Sequence, residues 1–313
     1  MTRVPVLTGR HVEQAVSPSQ AVDAVRDAFV AFERGEWSMP SKVYVTNYPA
    51  GDFRAMPALG GGHALLKWVT SFPANPERGL PTVTGLVLVS DAETGMLKAV
   101  LDAAAVTALR TGAAAVLAAE TLARADAATF AVVGAGVNGR AAARTLAARG
   151  RAPLVWDLDT ERAASVASEL GGAVASSREE ALGADVVVTV TPGYEVLYDE
   201  GSLRGGQHVS LMGADGPGKA EVAPREVARA RLFCDDWEQA SHGGELAAAV
   251  EAGAVTRADV VEIGHVLTGD AQGRRSSDDV TAFDSTGLAL QDLAVALAAL
   301  AGANALDLPT IAL

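Results

Sequence analysis

The sequence predicts an α/β chain: a parallel sheet with helices on both faces fills the second half, preceded by a smaller α+β region. Three observations carry this. Apolar runs at 130–133, 154–156, 186–190 and 209–212 alternate with Ala-rich helical stretches, as in a parallel sheet buried on both sides. Strand signals dominate from Ser41 to Asp102. No repeat, low-complexity tail or disordered linker interrupts the chain. The expected domains are 1–123, completed by the C-terminal helical region 288–313, and 124–287.

The elements follow in order. Ser17, Pro18 and Gln20 form a helix start with a Ser-x-x-Gln capping box, and Val22, Val25, Phe29 and Phe32 recur at helical spacing until Gly35. The runs 82–89 and 96–101 flank the turn Asp91-Ala92-Glu93-Thr94-Gly95 and read as a hairpin. Gly60-Gly61-Gly62, Pro73, Pro76, Gly79 and Pro81 mark loops near a pocket. A helical stretch at 103–123 leads into the alternating region. The last long helix, about 288–301, is expected to leave that region and pack on the N-terminal domain.

At 313 residues with 49% apolar content, the chain can bury two cores. A net charge of −13, with no basic block, argues against nucleic acid or an anionic membrane as partner. Every long apolar stretch is interrupted by a charge or a turn signal, and residues 1–10 lack a secretory pattern. The single cysteine, Cys234, fits a buried thiol in a reducing cytoplasm. His11, His63, His208, His242 and His265 show no metal-ligand spacing, so no metal is expected. Only four lysines, Lys42, Lys67, Lys98 and Lys219, stand against twenty-one arginines. In such a chain a lysine marks a position where a compact, titratable ammonium is needed.

The strongest local motif is Gly134-Ala135-Gly136-Val137-Asn138-Gly139, between the apolar strand 130–133 and an Ala-rich helix. Gly134 permits the tight turn, Gly136 lets backbone approach a pyrophosphate, and Gly139 allows close helix–sheet packing. The helix N-terminus offers N–H groups to the phosphates. Asp157 ends the next strand at the distance expected of a ribose-binding carboxylate, which favours NAD over NADP; Arg162 lies close enough to soften that preference. This is the fingerprint of a Rossmann dinucleotide-binding domain, and the α+β remainder becomes the substrate domain.

Cations gather in the N-terminal half: Lys42, Arg54, Lys67 and Arg110. Lys67 lies between Leu65-Leu66 and Trp68-Val69, and Arg110 sits in an Ala-rich segment. Paired cations in apolar surroundings suit a small carboxylate substrate; solvated or ion-paired surface positions are the alternative.

These residues, with Arg54-Ala55-Met56-Pro57, Asn75-Pro76, Gly79-Leu80-Pro81-Thr82 and Leu109-Arg110-Thr111, resemble the ornithine cyclodeaminase/mu-crystallin family. The resemblance continues through Gly213-Ala214-Asp215-Gly216-Pro217-Gly218-Lys219-Ala220-Glu221, Gly243-Gly244-Glu245-Leu246, Phe283-Asp284-Ser285-Thr286-Gly287 and Gln291-Asp292-Leu293-Ala294. That family holds cyclodeaminases, archaeal-type alanine dehydrogenases and imine reductases, typically homodimers paired through the N-terminal domain. The resemblance implies that Lys67 lies near the substrate carboxylate and reacting nitrogen. It implies that Arg110 clamps the carboxylate beside the nicotinamide, and that Asp215 is the acid–base or charge-stabilising carboxylate with Lys219 near the cofactor. Thr82, Asn138, Thr191, Met212 and Ser285 fall where the family lines the dinucleotide site. Arg54, where cyclodeaminases carry an acid two places before the Met-Pro pair, and Lys42, where they carry arginine, look more like the alanine dehydrogenases. A neutral or acidic amino acid, or its imine, is then the expected substrate, because a diamino acid needs a carboxylate for its distal ammonium. For Arg54 the alternative is an outward-facing strand residue, and for Asp215 a loop aspartate capping its own turn.

The expected chemistry begins with loss of hydride from the substrate Cα to the nicotinamide, with Asp215 taking the ammonium proton. Water attack then gives an amino acid dehydrogenase, and the reverse direction an imine reductase. Attack by a side-chain amine gives a cyclodeaminase. A non-enzymatic nucleotide-binding role of the mu-crystallin kind is the last alternative.

Overall fold

A computed structural model describes residues 3–216 and 218–313. The chain forms two compact units, 1–110 with 288–313, and 111–287. The expected boundary at 123/124 stands at the end of a continuous helix, whereas the units part inside it.

The first unit is built on a seven-stranded sheet. Its strands are β1 (Arg3–Leu7), β2 (Val43–Asn47), β3 (Gly51–Gly60), β4 (His63–Ser71), β5 (Val83–Asp91) and β6 (Leu97–Asp102), with a final strand Thr310–Ala312. From that final strand the order runs β1-β6-β5-β4-β3-β2, antiparallel except for β1 beside β6. Helices α1 (Gly9–Ala15) and α2 (Pro18–Glu33) precede β2. The capping box of α2 is made: the Ser17 N–H donates to Gln20 Oε1 at 2.9 Å, and the Gln20 N–H returns to Ser17 Oγ at 3.3 Å. Val22, Val25 and Phe29 are buried beneath it.

Register decides what this sheet hides. Met56 faces Lys67 and Lys67 faces Val87, so the three point to the same side. Along β4, Leu65, Lys67 and Val69 are buried while Leu66 and Trp68 are exposed, the period-two alternation of a strand. The buried side carries the C-terminal helix, Ala289–Gly302, which packs on α2, β3 and β4. The outer side is also apolar: Val43, Val45, Leu66, Trp68 and Leu86 are exposed there, and Phe53 stacks on Trp68 at 5.8 Å.

The second unit is an eight-stranded, wholly parallel sheet. It comprises β7 (Phe130–Val133), β8 (Pro153–Trp156), β9 (Ala173–Val174), β10 (Val186–Thr189), β11 (His208–Leu211), β12 (Arg231–Cys234), β13 (Val260–Glu262) and β14 (Thr281–Asp284). The order is β13-β12-β14-β11-β10-β7-β8-β9. The chain winds outward from β7 through β8 and β9, then returns to the other side of β7 at β10. The carboxyl ends of β7 and β10 therefore form a topological switch point, where doubly wound sheets take their ligands. Helix α3 (Ala103–Leu122) enters the unit, and α4 (Val137–Ala148) follows β7. The C-terminal half of α3 is latched to the sheet: Ser210 Oγ donates to the Ala115 carbonyl at 3.0 Å, and Thr281 Oγ1 and Arg274 Nε donate to that of Leu122. His208 is buried between Thr281 Oγ1 and Ser210 Oγ. Burial, with Arg274 adding to it, lowers its pKa to about 3, so it sits there neutral.

Candidate active site

The glycine turn has the steric character its sequence implies. Gly134 adopts φ +100°, and its N–H donates to the Trp156 carbonyl at 2.8 Å. A Cβ on Gly139 would overlap the Gly134 carbonyl oxygen, and one on Gly134 would press on Val190 O. A Cβ on Gly136 would meet nothing within 4 Å. The protein itself does not need glycine there, so the open approach is left for a ligand. Gly136 caps α4 without a side-chain hydrogen bond, no acid stands in the first turn, and Val137 is exposed beside half-buried Asn138. Free N–H groups at the positive end of a twelve-residue helix fit a pyrophosphate.

Asp157, expected to bind the ribose, also has partners within the protein. Its Oδ2 accepts from the Ala135 N–H at 2.6 Å and its Oδ1 from the Asp159 N–H at 2.8 Å, so it braces the glycine turn. Each carboxylate oxygen has a second lone pair for a ribose hydroxyl. Arg162 is committed to acids, lying 3.6 Å from Asp157 and 3.1 Å from Asp159.

Thr191, Met212 and Ser285 follow the carboxyl ends of β10, β11 and β14. Met212 is buried, and the Ser285 hydroxyl donates to Asp235 at 2.9 Å. Asp215 and Lys219 form an ion pair at 2.6 Å, both partly exposed, and the ammonium lies 5.6 Å above the Tyr194 ring. Thr82 and Arg110 belong to the first unit; the Thr82 carbonyl accepts from the Phe72 N–H.

In the first unit Lys67 and Arg110 are brought together by a residue the sequence reading left without a role. Asp292, in the first turn of the C-terminal helix and fully buried, lies 2.7 Å from Lys67 Nζ and 3.5 Å from Arg110 Nε. Lys67 also donates to Thr107 Oγ1 at 3.2 Å, and Arg110 Nη1 to Gln291 Oε1 at 3.4 Å. Burial lowers the Lys67 pKa to about 8; Asp292 opposes that, while Arg110 and Arg54 add to it. Two cations around one carboxylate leave one positive charge uncompensated. Among the described residues Arg110 Nε and Gln291 Nε2 are buried without a hydrogen-bond partner, as are both carboxylate oxygens of Asp292; buried donors so placed suit an anionic ligand.

Arg54 stands apart from that surplus. It grips Asp52 with Nε–Oδ1 at 2.6 Å and Nη2–Oδ2 at 3.2 Å, and its guanidinium lies over Tyr44. Asp52, two residues before Arg54 on the same strand and almost wholly buried, is its carboxylate partner. Lys42 is half-buried just ahead of β2.

A Rossmann-type unit with an open glycine turn, joined to a mixed unit that buries a cation cluster, defines a two-unit α/β protein of the dinucleotide-binding class. The chain belongs to the ornithine cyclodeaminase/mu-crystallin family, whose model matches residues 3–301. It is 41% identical over 298 residues to an alanine dehydrogenase of Archaeoglobus fulgidus, covering 93% of this chain and 92% of that one. The structure of an archaeal alanine dehydrogenase dimer with bound NAD matches with TM-score 0.94 and 38% identity over 99% of each chain. That of the Paracoccus denitrificans iminosuccinate reductase with NAD+ matches with TM-score 0.90 and 28% identity over the whole of both.

Proposed function

We propose that this chain is an NAD-dependent amino acid dehydrogenase or imine reductase acting on a small 2-amino acid, such as alanine, or on its imine. The observation that carries this is the Lys67–Asp292–Arg110 cluster: one surplus positive charge and two unfilled donors in a buried setting suit a single carboxylate. The related alanine dehydrogenase and iminosuccinate reductase share the whole architecture. Gly134, Gly136, Val137, Asn138 and Gly139 hold the pyrophosphate, and Asp157 the ribose. Thr191, Met212, Lys219 and Ser285, with Thr82 and Arg110, complete the dinucleotide contacts.

Lys67 and Arg110 bind the substrate carboxylate. Asp215 takes the proton of the substrate ammonium, since hydride leaves a neutral amine more readily. Bound NAD supplies the acceptor for the Cα hydride. Lys67, its pKa lowered by burial to about 8, orients the water that attacks the imine carbon, and ammonia leaves to give the 2-oxo acid. Lys42 and Arg54 wall the substrate side chain. Because Arg54 already neutralises Asp52, that carboxylate is taken and does not await a distal ammonium, which favours this reading over a cyclodeaminase.

The apolar outer face of the first sheet, with Leu66, Trp68 and Leu86 exposed, supports a homodimer paired through it. The buried free thiol of Cys234 is in keeping with a cytoplasmic setting. The test is to offer alanine or ornithine with NAD. Net NADH formation from alanine supports a dehydrogenase; ammonia released from ornithine without net NADH would replace it with a cyclodeaminase.

A further inference from the structure

Two buried acids outside the catalytic assignment converge on the loop that carries Asp215 and Lys219. Glu221 ends that loop and is fully buried. Its Oε1 accepts from both the N–H and the hydroxyl of Thr191, at 2.9 and 2.6 Å. Its Oε2 accepts from Thr189 Oγ1 at 2.6 Å and from the Gly213 N–H at 3.2 Å. Gly213 opens the same loop, so one carboxylate ties the loop's two ends together and fastens both to the end of β10. Glu245, also buried, holds the other side: its oxygens accept from the Glu221 N–H at 2.8 and 2.9 Å and from the Val222 N–H at 2.6 Å. A Cβ on Gly213 would collide with the Glu221 carboxylate, so the approach leaves no slack.

We propose that Glu221 and Glu245 are positioning residues that set the Asp215–Lys219 loop and Thr191 for the dinucleotide, Glu221 as an anion and Glu245 as a neutral acid. This rests on the reading of that loop as part of the NAD site. The division of charge follows from the donors. Glu221 gathers four, enough to hold a carboxylate in the interior, whereas Glu245 meets only two backbone N–H groups. Burial pushes both carboxyls up; for Glu221 its four hydrogen bonds oppose that, whereas the neighbouring Glu221 and Asp284 drive the Glu245 carboxyl further up. Two adjacent buried acids share a proton more cheaply than both can ionise.

The two isosteric variants separate this role from simple packing. A glutamine at 221 turns one acceptor into a donor facing Thr191 or Thr189, whereas a glutamine at 245 replaces a neutral acid by a neutral amide. NAD+ affinity is read by quenching of tryptophan fluorescence, with melting temperature beside it. Glu221→Gln is expected to weaken NAD+ binding about tenfold, and Glu245→Gln to leave it within about twofold. Glu221→Asp, which keeps the charge, is expected to recover part of the loss. Should Glu221→Gln not fold, Thr189→Val removes one buried donor to the same carboxylate and is expected to weaken NAD+ in the same direction. Wild-type affinity in a folded Glu221→Gln or Thr189→Val protein, whatever its melting temperature, would overturn the positioning role. A wild-type chain that binds no NAD+ would overturn the underlying reading and the role with it.

Discussion

Replacing Asp292 by asparagine removes the one carboxylate between Lys67 and Arg110 while keeping the side chain's volume. Breaking a buried ion pair from one side costs about 3–5 kcal/mol when the remaining charge stays buried. Lys67 has a cheaper route. Its pKa is already down to about 8, and both the charge and the hydrogen bond of Asp292 hold it up, so in the variant the pKa falls further. Near neutral pH the lysine then sheds its proton at about 1.4 kcal/mol per pH unit, and the fold survives with a neutral amine. Function bears the loss: the carboxylate site forfeits a cation, and Arg110 loses the anchor 3.5 Å from its Nε. Forfeiting a charged hydrogen bond corresponds to about a 10- to 100-fold rise in KM for the 2-oxo acid. The assay is NADH absorbance against pH, at saturating NADH and a fixed concentration of free ammonia. Wild-type kcat/KM for the 2-oxo acid should fall as pH rises through about 8, where Lys67 loses its proton. In Asp292→Asn that fall should begin at lower pH. A variant profile that superimposes on wild type, or one displaced to higher pH, would refute the reasoning.

Three further perturbations follow from the second unit. Gly139→Ala places a methyl on the Gly134 carbonyl oxygen and is expected to destabilise the chain by about 1–3 kcal/mol and abolish NAD+ binding; calorimetry with and without NAD+ reads both. Asp157→Ser removes the repulsion toward a 2′-phosphate together with the brace on Ala135, so NAD+ should bind more weakly and the NADP+ to NAD+ preference should rise about tenfold or more; an unchanged ratio of KM values would place the ribose elsewhere. His208 is neutral when folded, with its pKa lowered from 6.5 to about 3. The unfolded chain therefore binds the extra proton between those values, and the stabilisation present above 6.5 is lost as pH falls through that window. Denaturant unfolding should show His208→Asn with a shallower acid decline than wild type, by about 1.4 kcal/mol per pH unit.

What was legible in the sequence was what is local. The glycine turn declares itself within six residues because backbone sterics act over that range, and Lys67 stood out because apolar residues, Leu65-Leu66 and Trp68-Val69, flank it on both sides. Asp292 gave no such signal. It lies in an apolar helix far along the chain from Lys67, and only the folded path brings them to 2.7 Å. Glu221 and Glu245 were visible merely as letters in motifs, since their partners are backbone N–H groups and, for Glu221, the hydroxyls of Thr189 and Thr191, which lie about thirty residues away in the chain. The strands β12, β13 and β14 are no shorter than β7 or β10, give or take a residue, but each carries a charged residue (Arg231, Glu262, Asp284) that breaks the apolar run by which the others declare themselves. The fixed place of Arg54 depends on Asp52 on the same strand face, a pairing that the surplus of cations in the N-terminal half concealed.

The central claim is that hydride passes between the nicotinamide and the α-carbon of an amino acid. The most direct measurement is mass spectrometry of the amino acid formed from pyruvate, ammonium and NADH carrying deuterium at the transferable position. The expected product is alanine bearing a single deuterium at its α-carbon, formed in step with loss of NADH absorbance. Unlabelled product, or no consumption of NADH with any small 2-oxo acid or cyclic imine, would contradict it.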